Sequence, residues 1–160
     1  MKKLAIGCTL FLMVLILVPQ QSPAQDVGMN FYINFGVITD DSFSFNDWLW
    51  SGGAQLDLHI GPLFMLSPEC DVIIYRFEFD PVILAPGVIA NIKLSNFFLG
   101  AGLTKWFLIG SSVPTFESDF ALKANIGLRT SNLKFTLYGI SYFDGFLDYL
   151  IIGLTLGFGF

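Results

Sequence analysis

The sequence predicts an all-β protein: an eight-stranded antiparallel up-and-down transmembrane β-barrel. Three observations carry this prediction: segments in which large apolar residues alternate with small or polar ones, an excess of apolar over charged residues, and a chain that ends on an aromatic residue. Hydrophobic residues make up 54% of the chain and charged residues 13%, whereas about a quarter of a soluble domain is charged. Only helices and closed barrels satisfy every backbone group in lipid, and no internal segment is apolar enough for a spanning helix, so the composition favours a barrel.

Residues 1–24 have the layout of a secretory signal peptide. A basic start precedes an apolar run from Leu4 to Val18, and a polar segment with small residues ends at Ala24. The run is shorter than the roughly twenty residues that a spanning helix needs. We therefore expect cleavage after Ala24 and an outer-membrane β-barrel domain over residues 25–160.

Composition narrows the function classes. Removal of the signal leaves six basic against thirteen acidic residues, which makes nucleic acid an improbable partner. Only Cys70 survives processing, so no intrachain disulfide is expected. One histidine and one cysteine give no metal-ligand spacing, and the sequence contains neither a glycine-rich phosphate loop nor a Gly-x-Ser-x-Gly elbow. We expect no cofactor, no metal and no catalytic residue.

About eight alternating segments follow the signal, each near the ten residues that a tilted strand needs to cross a bilayer. The approximate ranges are 28–38, 53–61, 67–78, 83–94, 97–108, 119–129, 133–141 and 149–160. In the first segment Met29, Phe31 and Ile33 alternate with Asn30 and Tyr32, so opposite faces differ in polarity. The next three segments and the sixth and seventh repeat this pattern.

The fifth segment breaks the alternation. Leu99, Ala101 and Leu103 lie on one parity, but Lys105 falls on the same parity. We expect either a bulge near Thr104 or a strand that has already reached the membrane interface at this point.

The connections between segments alternate in length. Tight connections are expected around 61–62, 95–96 and 131–132, and mostly longer ones at 39–52, 79–82, 109–118 and 142–147. Outer-membrane barrels have short periplasmic turns and longer external loops. This predicts that both chain ends lie in the periplasm and that the longer loops face outside.

The polar parity carries four acidic residues, four basic residues and the sole histidine. These candidates for an interior polar network are Asp57, Glu69, Asp71, Asp119, Lys93, Lys123, Arg129, Lys134 and His59. Buried charges are tolerated only when paired, so equal numbers predict a salt-bridged lumen filled by side chains, mainly in the periplasmic half. Alternatively, some of these residues lie in a wet periplasmic rim. We expect His59 to bond Asp57, Glu69 or Asp71 rather than to act in catalysis.

Aromatic residues flank the predicted external loops. Those expected to form a girdle at the lipid headgroups are Trp48, Trp50, Trp106, Tyr142 and Phe143. The alternative for these residues is an exposed adhesive patch.

The last segment places glycine and threonine on one parity and large apolar residues on the other. The large residues that end the chain are Leu154, Leu156, Phe158 and Phe160. This ending resembles the C-terminal strand by which bacterial outer-membrane barrels are recognised for insertion. With the signal peptide and the alternating turns and loops, the chain is similar to the small outer-membrane β-barrels, the class of the OmpA membrane domain and OmpX.

The resemblance implies an outer-membrane protein that contacts the lipid bilayer and outer-leaflet lipids, meets the barrel-insertion machinery through its last strand, and is a monomer. It implies a structural or surface-interaction role, such as that of an adhesin. Three alternatives remain: a narrow, porin-like pore, a lipid-modifying enzyme and a soluble lipocalin-like binding barrel.

Overall fold

The structure of the chain is a computed structural model, which describes residues 28–39, 49–111, 114–144 and 150–160. The described residues form antiparallel strands closed into one barrel, in which each strand pairs with its sequence neighbours and the first pairs with the last. The strands are β1 Met29–Ile38, β2 Leu49–Ile60, β3 Phe64–Tyr75, β4 Glu78–Leu94, β5 Phe97–Ile109, β6 Phe116–Arg129, β7 Leu133–Tyr142 and β8 Leu150–Gly159. The predicted eight-stranded barrel is confirmed.

The predicted signal peptide, residues 1–24, lies outside the described residues, so its cleavage stays a prediction. Among the residues that the structure describes, no helix has the length and apolar character needed to cross a membrane.

Closure depends on the first and last strands. They pair from Tyr32 opposite Gly159 to Ile38 opposite Gly153. The backbone of Phe160 continues this pairing, because its N–H donates to the Phe31 carbonyl at 3.0 Å. A closed sheet leaves no edge, so the hydrogen-bonding groups of both terminal strands are satisfied within the wall.

Three short connections lie at the end of the barrel where β1 begins and β8 ends, which we call the short-turn end. They comprise residues 61–63, 95–96 and 130–132. Gly61 has a φ of 66°, a left-handed conformation that glycine adopts without steric cost. These turns agree with the tight connections expected from the sequence.

The opposite end, which we call the loop end, differs from the expectation: residues 49–52 of the first predicted loop belong to β2, and residues 116–118 of the third belong to β6. The predicted loop 79–82 is wrong, because these residues belong to β4. β3 and β4 stay paired as far as Tyr75 opposite Glu78, and Arg76 and Phe77 form a two-residue turn with φ values of 47° and 61°. Two consecutive positive φ values characterise the tight hairpin turn that matches strand twist.

An irregularity is present near the expected position, but its extra residue lies in β6 and not in β5, because the two steps from Lys105 to Phe107 face the three steps from Phe120 to Glu117. The register between β5 and β6 shifts between Lys105 and Phe107. Lys105 itself pairs with the outward-facing Phe120 and places its ammonium 3.5 Å from a carboxylate oxygen of Glu117. A lysine on the apolar parity is therefore accommodated near the loop end by an acidic partner on the next strand.

The outer wall is a continuous apolar surface. Exposed side chains on it include Phe35, Leu99, Leu103, Ile126, Phe135, Leu137, Leu154, Leu156, Phe158 and Phe160. Soluble monomers rarely expose contiguous apolar patches of more than a few hundred Å². An apolar belt around a closed barrel is instead the surface that lipid hydrocarbon covers.

Candidate functional site in the barrel lumen

The inward side chains fill the lumen in successive layers between the two ends. Period-two alternation points every second residue of each strand inward, and the large polar ones among them meet across the barrel. These layers contain most of the charged residues predicted to lie inside, so the lumen is the candidate functional site.

The Asp57 cluster comprises Asp57, Ser67, Asn91 and Lys134. The ammonium of Lys134 donates to both carboxylate oxygens of Asp57 at 2.8 Å. The Ser67 hydroxyl donates to Asp57 at 2.7 Å and accepts from the Asn91 amide at 2.9 Å. Asp57 is 0% exposed and Lys134 1%, so each charge replaces its hydration by several protein partners, as a buried ion pair requires.

The Lys123 cluster comprises Glu69, Asp71 and Lys123, one layer closer to the loop end. The Lys123 ammonium lies 2.5 Å from a Glu69 oxygen and 3.3 Å from an Asp71 oxygen. It also lies 4.2 Å from the centroid of the Tyr138 ring, within the range of a cation–π interaction. One lysine thus bridges two carboxylates on β3 from the far side of the barrel.

Three inward aromatic residues each face a glycine on the neighbouring strand. The cross-strand pairs are Tyr32 with Gly159, Phe98 with Gly127 and Tyr138 with Gly153. Side chains added at these glycines would place Cβ 2.8 Å from Tyr32 Cε1, 2.7 Å from Phe98 Cε1 and 2.5 Å from Tyr138 Cε2. Glycine therefore makes room for each ring to lie against the wall.

These rings also line the paths of the two buried lysines. The Lys134 ammonium lies 4.7 Å from the ring centroid of Phe98 and 5.4 Å from that of Tyr32. The faces of aromatic rings attract cations. The glycine–aromatic pairs thus provide both the space for each lysine and part of its stabilisation.

An apolar plug closes the lumen toward the loop end. Its members are Ile38, Ile73, Ala85, Ala121, Tyr138, Ile140 and Ile151. All are at most 7% exposed. Close-packed side chains leave few voids as large as a water molecule. The described members of this layer therefore separate the polar lumen from the loop end.

Trp106 and Tyr142 pack against this plug, so their predicted place in the headgroup girdle is wrong. Tyr142 shares the inward parity of Tyr138 and Ile140, and Trp106 shares the inward parity of the buried Phe98 and Thr104. Their rings meet edge to face with centroids 6.2 Å apart. Inward parity near the loop end therefore directs both rings toward the plug.

The other girdle residues have different surroundings. Trp50 lies on the outward parity, with its ring centroid 4.8 Å from that of Phe77. Phe143 is exposed at the loop end. Trp48 lies outside the described residues.

The histidine cluster comprises Asn30, His59, Lys93 and Arg129 at the short-turn end. Nε2 of His59 lies 2.8 Å from both the Asn30 amide nitrogen and Arg129 Nη1, and Nδ1 lies 3.3 Å from the Lys93 ammonium. The prediction that His59 bonds a carboxylate is wrong. The Asp57 carboxylate lies one layer deeper, where it accepts hydrogen bonds from Lys134 and Ser67. The ring meets amide and cationic groups instead.

Asp119 is the predicted network residue that lies outside the lumen. Its side chain is exposed. The pairing of β6 with β7 begins at Ala121 opposite Tyr142, so Asp119 lies beyond the plug and beyond the last β7 partner. A side chain on the inward parity of β6 at this position, beyond the plug, therefore points into solvent and not into the packed interior.

Sequence reasoning missed the neutral members of the site. Ser67 and Asn91 complete the Asp57 cluster, and Tyr32 and Phe98 flank its lysine. The available signal was glycine on the inward parity of a neighbouring strand, because a glycine opposite an aromatic residue marks a ring that lies over it. The plug was also missed, because its isoleucines resemble ordinary strand residues.

No protein-family model matches the sequence, and no curated protein matches it. Similar solved structures exist. A de novo designed transmembrane β-barrel is 10% identical, with 89% of this chain and 100% of the designed one covered and a TM-score of 0.50. The N-terminal β-barrel domain of Pseudomonas aeruginosa OprF is 15% identical, with coverages of 84% and 100% and a TM-score of 0.51.

The chain has the fold of the small eight-stranded outer-membrane β-barrels. The attachment invasion locus protein Ail of Yersinia pestis is a further match, 11% identical, with 83% of this chain and 95% of Ail covered and a TM-score of 0.44. For a membrane barrel of this fold, the exposed apolar wall is the lipid-facing surface and the layered polar residues form its interior. An eight-stranded barrel has an interior just wide enough for side chains to fill.

Proposed function

We propose that the chain is an integral outer-membrane barrel with a sealed lumen, which acts through its surface at the loop end in a structural or adhesin-like role. The observation that carries this proposal is the filling of the lumen. Two buried ion-pair clusters and an apolar plug succeed each other along the axis. A barrel filled in this way has no continuous aqueous path, which argues against the narrow-pore alternative.

The loop end offers the features of a contact surface. Four phenylalanines lie there with large exposed fractions: Phe77 60%, Phe79 75%, Phe116 64% and Phe143 58%. Aromatic residues contribute most to the energy of many protein contacts. Exposed aromatic groups beyond the plug support a surface-interaction role.

Outer-membrane location and assembly follow from the same proposal. The predicted signal peptide directs export, and the apolar parity of β8, which ends in the exposed Phe158 and Phe160, is available to the barrel-insertion machinery. Outer-leaflet lipids cover the wall near the loop end. We propose a monomer, because closure of the sheet leaves no strand edge for a second copy.

We propose no catalytic role. The described groups that bond the ring of His59 are Asn30, Lys93 and Arg129. A serine nucleophile needs its base within hydrogen-bond reach. A ring held by amide and cationic groups supports a structural function for this histidine rather than general-base catalysis.

Two experiments test the sealed barrel. Membrane fractions run on gels with and without boiling are expected to show a heat-dependent mobility, because folded barrels resist detergent. The purified protein in planar bilayers is expected to give no discrete conductance steps. Regular steps from the folded form would contradict a sealed lumen and favour the pore.

The surface role is tested by retention of expressing cells on an alkyl-coated surface. The double change Phe77→Ser and Phe79→Ser is expected to lower retention. The matched control is Phe64→Ser at the short-turn end, where the phenylalanine is 58% exposed, close to the 60% of Phe77. Equal retention of all three strains at equal expression would contradict an adhesive loop end.

A further inference from the structure

The outer wall carries a groove of about 720 Å³ over β7, β8, β1, β2 and β3. This volume lies within the roughly 300–1,000 Å³ of small-molecule sites. One side of the groove is a row of successive cross-strand partners, which we call the first row: Phe135, Leu156, Phe35, Gly52 and Val72. A Cβ added at Gly52 would lie 3.9 Å from its nearest described neighbours, so the first row has a gap at this glycine.

The other side of the groove is a second row, two residues closer to the loop end on each strand. It comprises Leu154, Val37, Trp50 and Ile74, which are again successive cross-strand partners. All four line the groove. The pairings of β7, β8, β1, β2 and β3 keep one register through both rows. The groove between the rows therefore follows one continuous course without a step.

The groove climbs toward the loop end as it crosses the strands. Phe135 is two residues from Leu133, where β7 begins at the short-turn end, whereas Val72 is three residues from Tyr75, where β3 ends at the loop end. The tilt and stagger of strands in a closed barrel produce such an oblique row. Four interstrand steps of about 4.8 Å make the first row about 19 Å long. This length is comparable with the hydrocarbon depth of one leaflet, which is half of a core of about 30 Å.

Aromatic rings border the groove at the loop end. The rings of Trp50 and Phe77 lie with their centroids 4.8 Å apart, and Phe79 lines the same end. Tryptophan is enriched at the level of the lipid headgroups. The groove thus begins near the headgroups at the loop end and descends into the hydrocarbon of the adjoining leaflet.

The groove is continuous with the apolar belt that lipid hydrocarbon covers, and this continuity indicates its occupant. The outward side chains of both rows are aliphatic or aromatic, so they offer an occupant van der Waals contact. Within hydrocarbon, such contact and the close approach that small residues permit decide which surfaces associate. A chain that lies over Gly52 contacts the backbone beneath it and a row of side chains on either side. A chain on the open wall contacts the protein on one side.

We propose that this groove binds one acyl chain of a membrane lipid in the leaflet at the loop end, and that an extended, saturated chain fits it best. A cis double bond bends an acyl chain, whereas the course between the two rows has no step. The additional contacts retain this lipid while the lipids around the rest of the wall exchange. The site rests on the location of the barrel in a membrane and does not depend on the surface role of the loop end.

The test reconstitutes the barrel, expressed from the full chain, in fluid vesicles made of equal parts distearoyl- and dioleoylphosphatidylcholine. The protein is extracted in mild detergent, its mass is measured by native mass spectrometry, and the retained lipid is released and identified. We expect a monomer that carries one phosphatidylcholine, with the saturated lipid in excess over its share of the vesicles. Gly52→Leu is expected to lower the lipid-bound fraction by about threefold or more, because the leucine side chain takes the place of chain methylenes over the backbone.

Ala101→Leu is the matched control, since Ala101 is a small, exposed residue on the outward parity of β5, away from the groove. It is expected to leave the lipid-bound fraction unchanged. Heat-dependent gel mobility verifies the folding of each variant, so a folded parent without retained lipid overturns the site and leaves the membrane barrel itself intact.

Three further outcomes contradict the proposal. Lipid retention by folded Gly52→Leu equal to that of the parent would show that the groove is not the site. A dimer in place of the lipid-bound monomer would identify a second copy of the chain as the occupant. Retained lipid with no excess of the saturated species would overturn the preference for an extended chain.

Discussion

Lys134 on β7 and Asp57 on β2 are 77 residues apart in the sequence, yet the lysine ammonium lies 2.8 Å from both oxygens of the carboxylate. The two strands are separated in the wall by β8 and β1, so the pair connects them through the lumen. The interior is thus cross-linked by charge as well as packed.

Lys134→Met is expected to destabilise the folded barrel by about 3–5 kcal/mol, because it leaves a buried carboxylate without its counter-charge. Urea unfolding in lipid vesicles, followed by tryptophan fluorescence, measures the change. Lys105→Met is the control, because the Lys105–Glu117 pair is 3.5 Å long and its carboxylate is largely exposed. Such a pair contributes about 0–1 kcal/mol, and similar losses for both variants would refute the buried-pair argument.

The second variant of this pair separates charge from packing. Asp57→Leu combined with Lys134→Met removes both charges, so we expect the double variant to be more stable than Lys134→Met alone. A double variant that is less stable than the single one would show that the polar cluster contributes more than its desolvation costs.

Gly153→Ala is expected to destabilise the barrel by about 1–3 kcal/mol, because its Cβ would overlap the Tyr138 ring, 2.5 Å from Cε2. The ring would have to leave its position beside Lys123. Gly52→Ala is the control, because the nearest atoms to its added Cβ are at 3.9 Å. The same unfolding assay compares them, and a neutral Gly153→Ala would mean that Tyr138 does not need the glycine surface.

Leu103→Arg is expected to cost about 2–4 kcal/mol in lipid vesicles, because Leu103 lies on the outward face near the middle of β5. Phe79→Arg, at the loop end, is expected to cost about 0–1 kcal/mol, the value near a membrane interface. Equal costs at the two positions would contradict an apolar belt embedded in hydrocarbon.

Phe160→Ala is expected to separate assembly from stability. The Phe160 side chain is 82% exposed, and its backbone hydrogen bond to Phe31 does not need the ring. We expect unfolding in vitro to change by less than about 0.5 kcal/mol, whereas cells accumulate less heat-modifiable barrel. Phe64→Ala is the control at the same end, and normal assembly of Phe160→Ala would argue against a role of this ring in insertion.

The strands were predictable because alternation is a local property. Asn30, Tyr32 and Asn34 face inward in β1 as their parity requires, and the register shift opposite Lys105 places an extra residue in β6. Residues 79–82 were misread because an aspartate followed by a proline is typical of a loop, whereas continued pairing with β3 extends the strand through them.

The partners across the lumen were not predictable from the same pattern. Parity placed both His59 and Asp57 inside, but it did not distinguish the carboxylate that meets Lys134 from the ring that meets Arg129. The position of each side chain along the barrel axis decides which cationic residue it contacts. It also moves Asp119 into solvent, although its parity is that of Lys123.

The sequence by itself determined that the chain alternates, where each strand lies within a few residues, and which side chains share a face, because neighbouring residues of a strand point in opposite directions whatever the rest of the protein does. Only the tertiary structure decided that Asp57 meets Lys134, that Glu69 and Asp71 share Lys123, and that isoleucines seal the loop end. These contacts depend on strand tilt and stagger, which are set by all the registers around the closed barrel together.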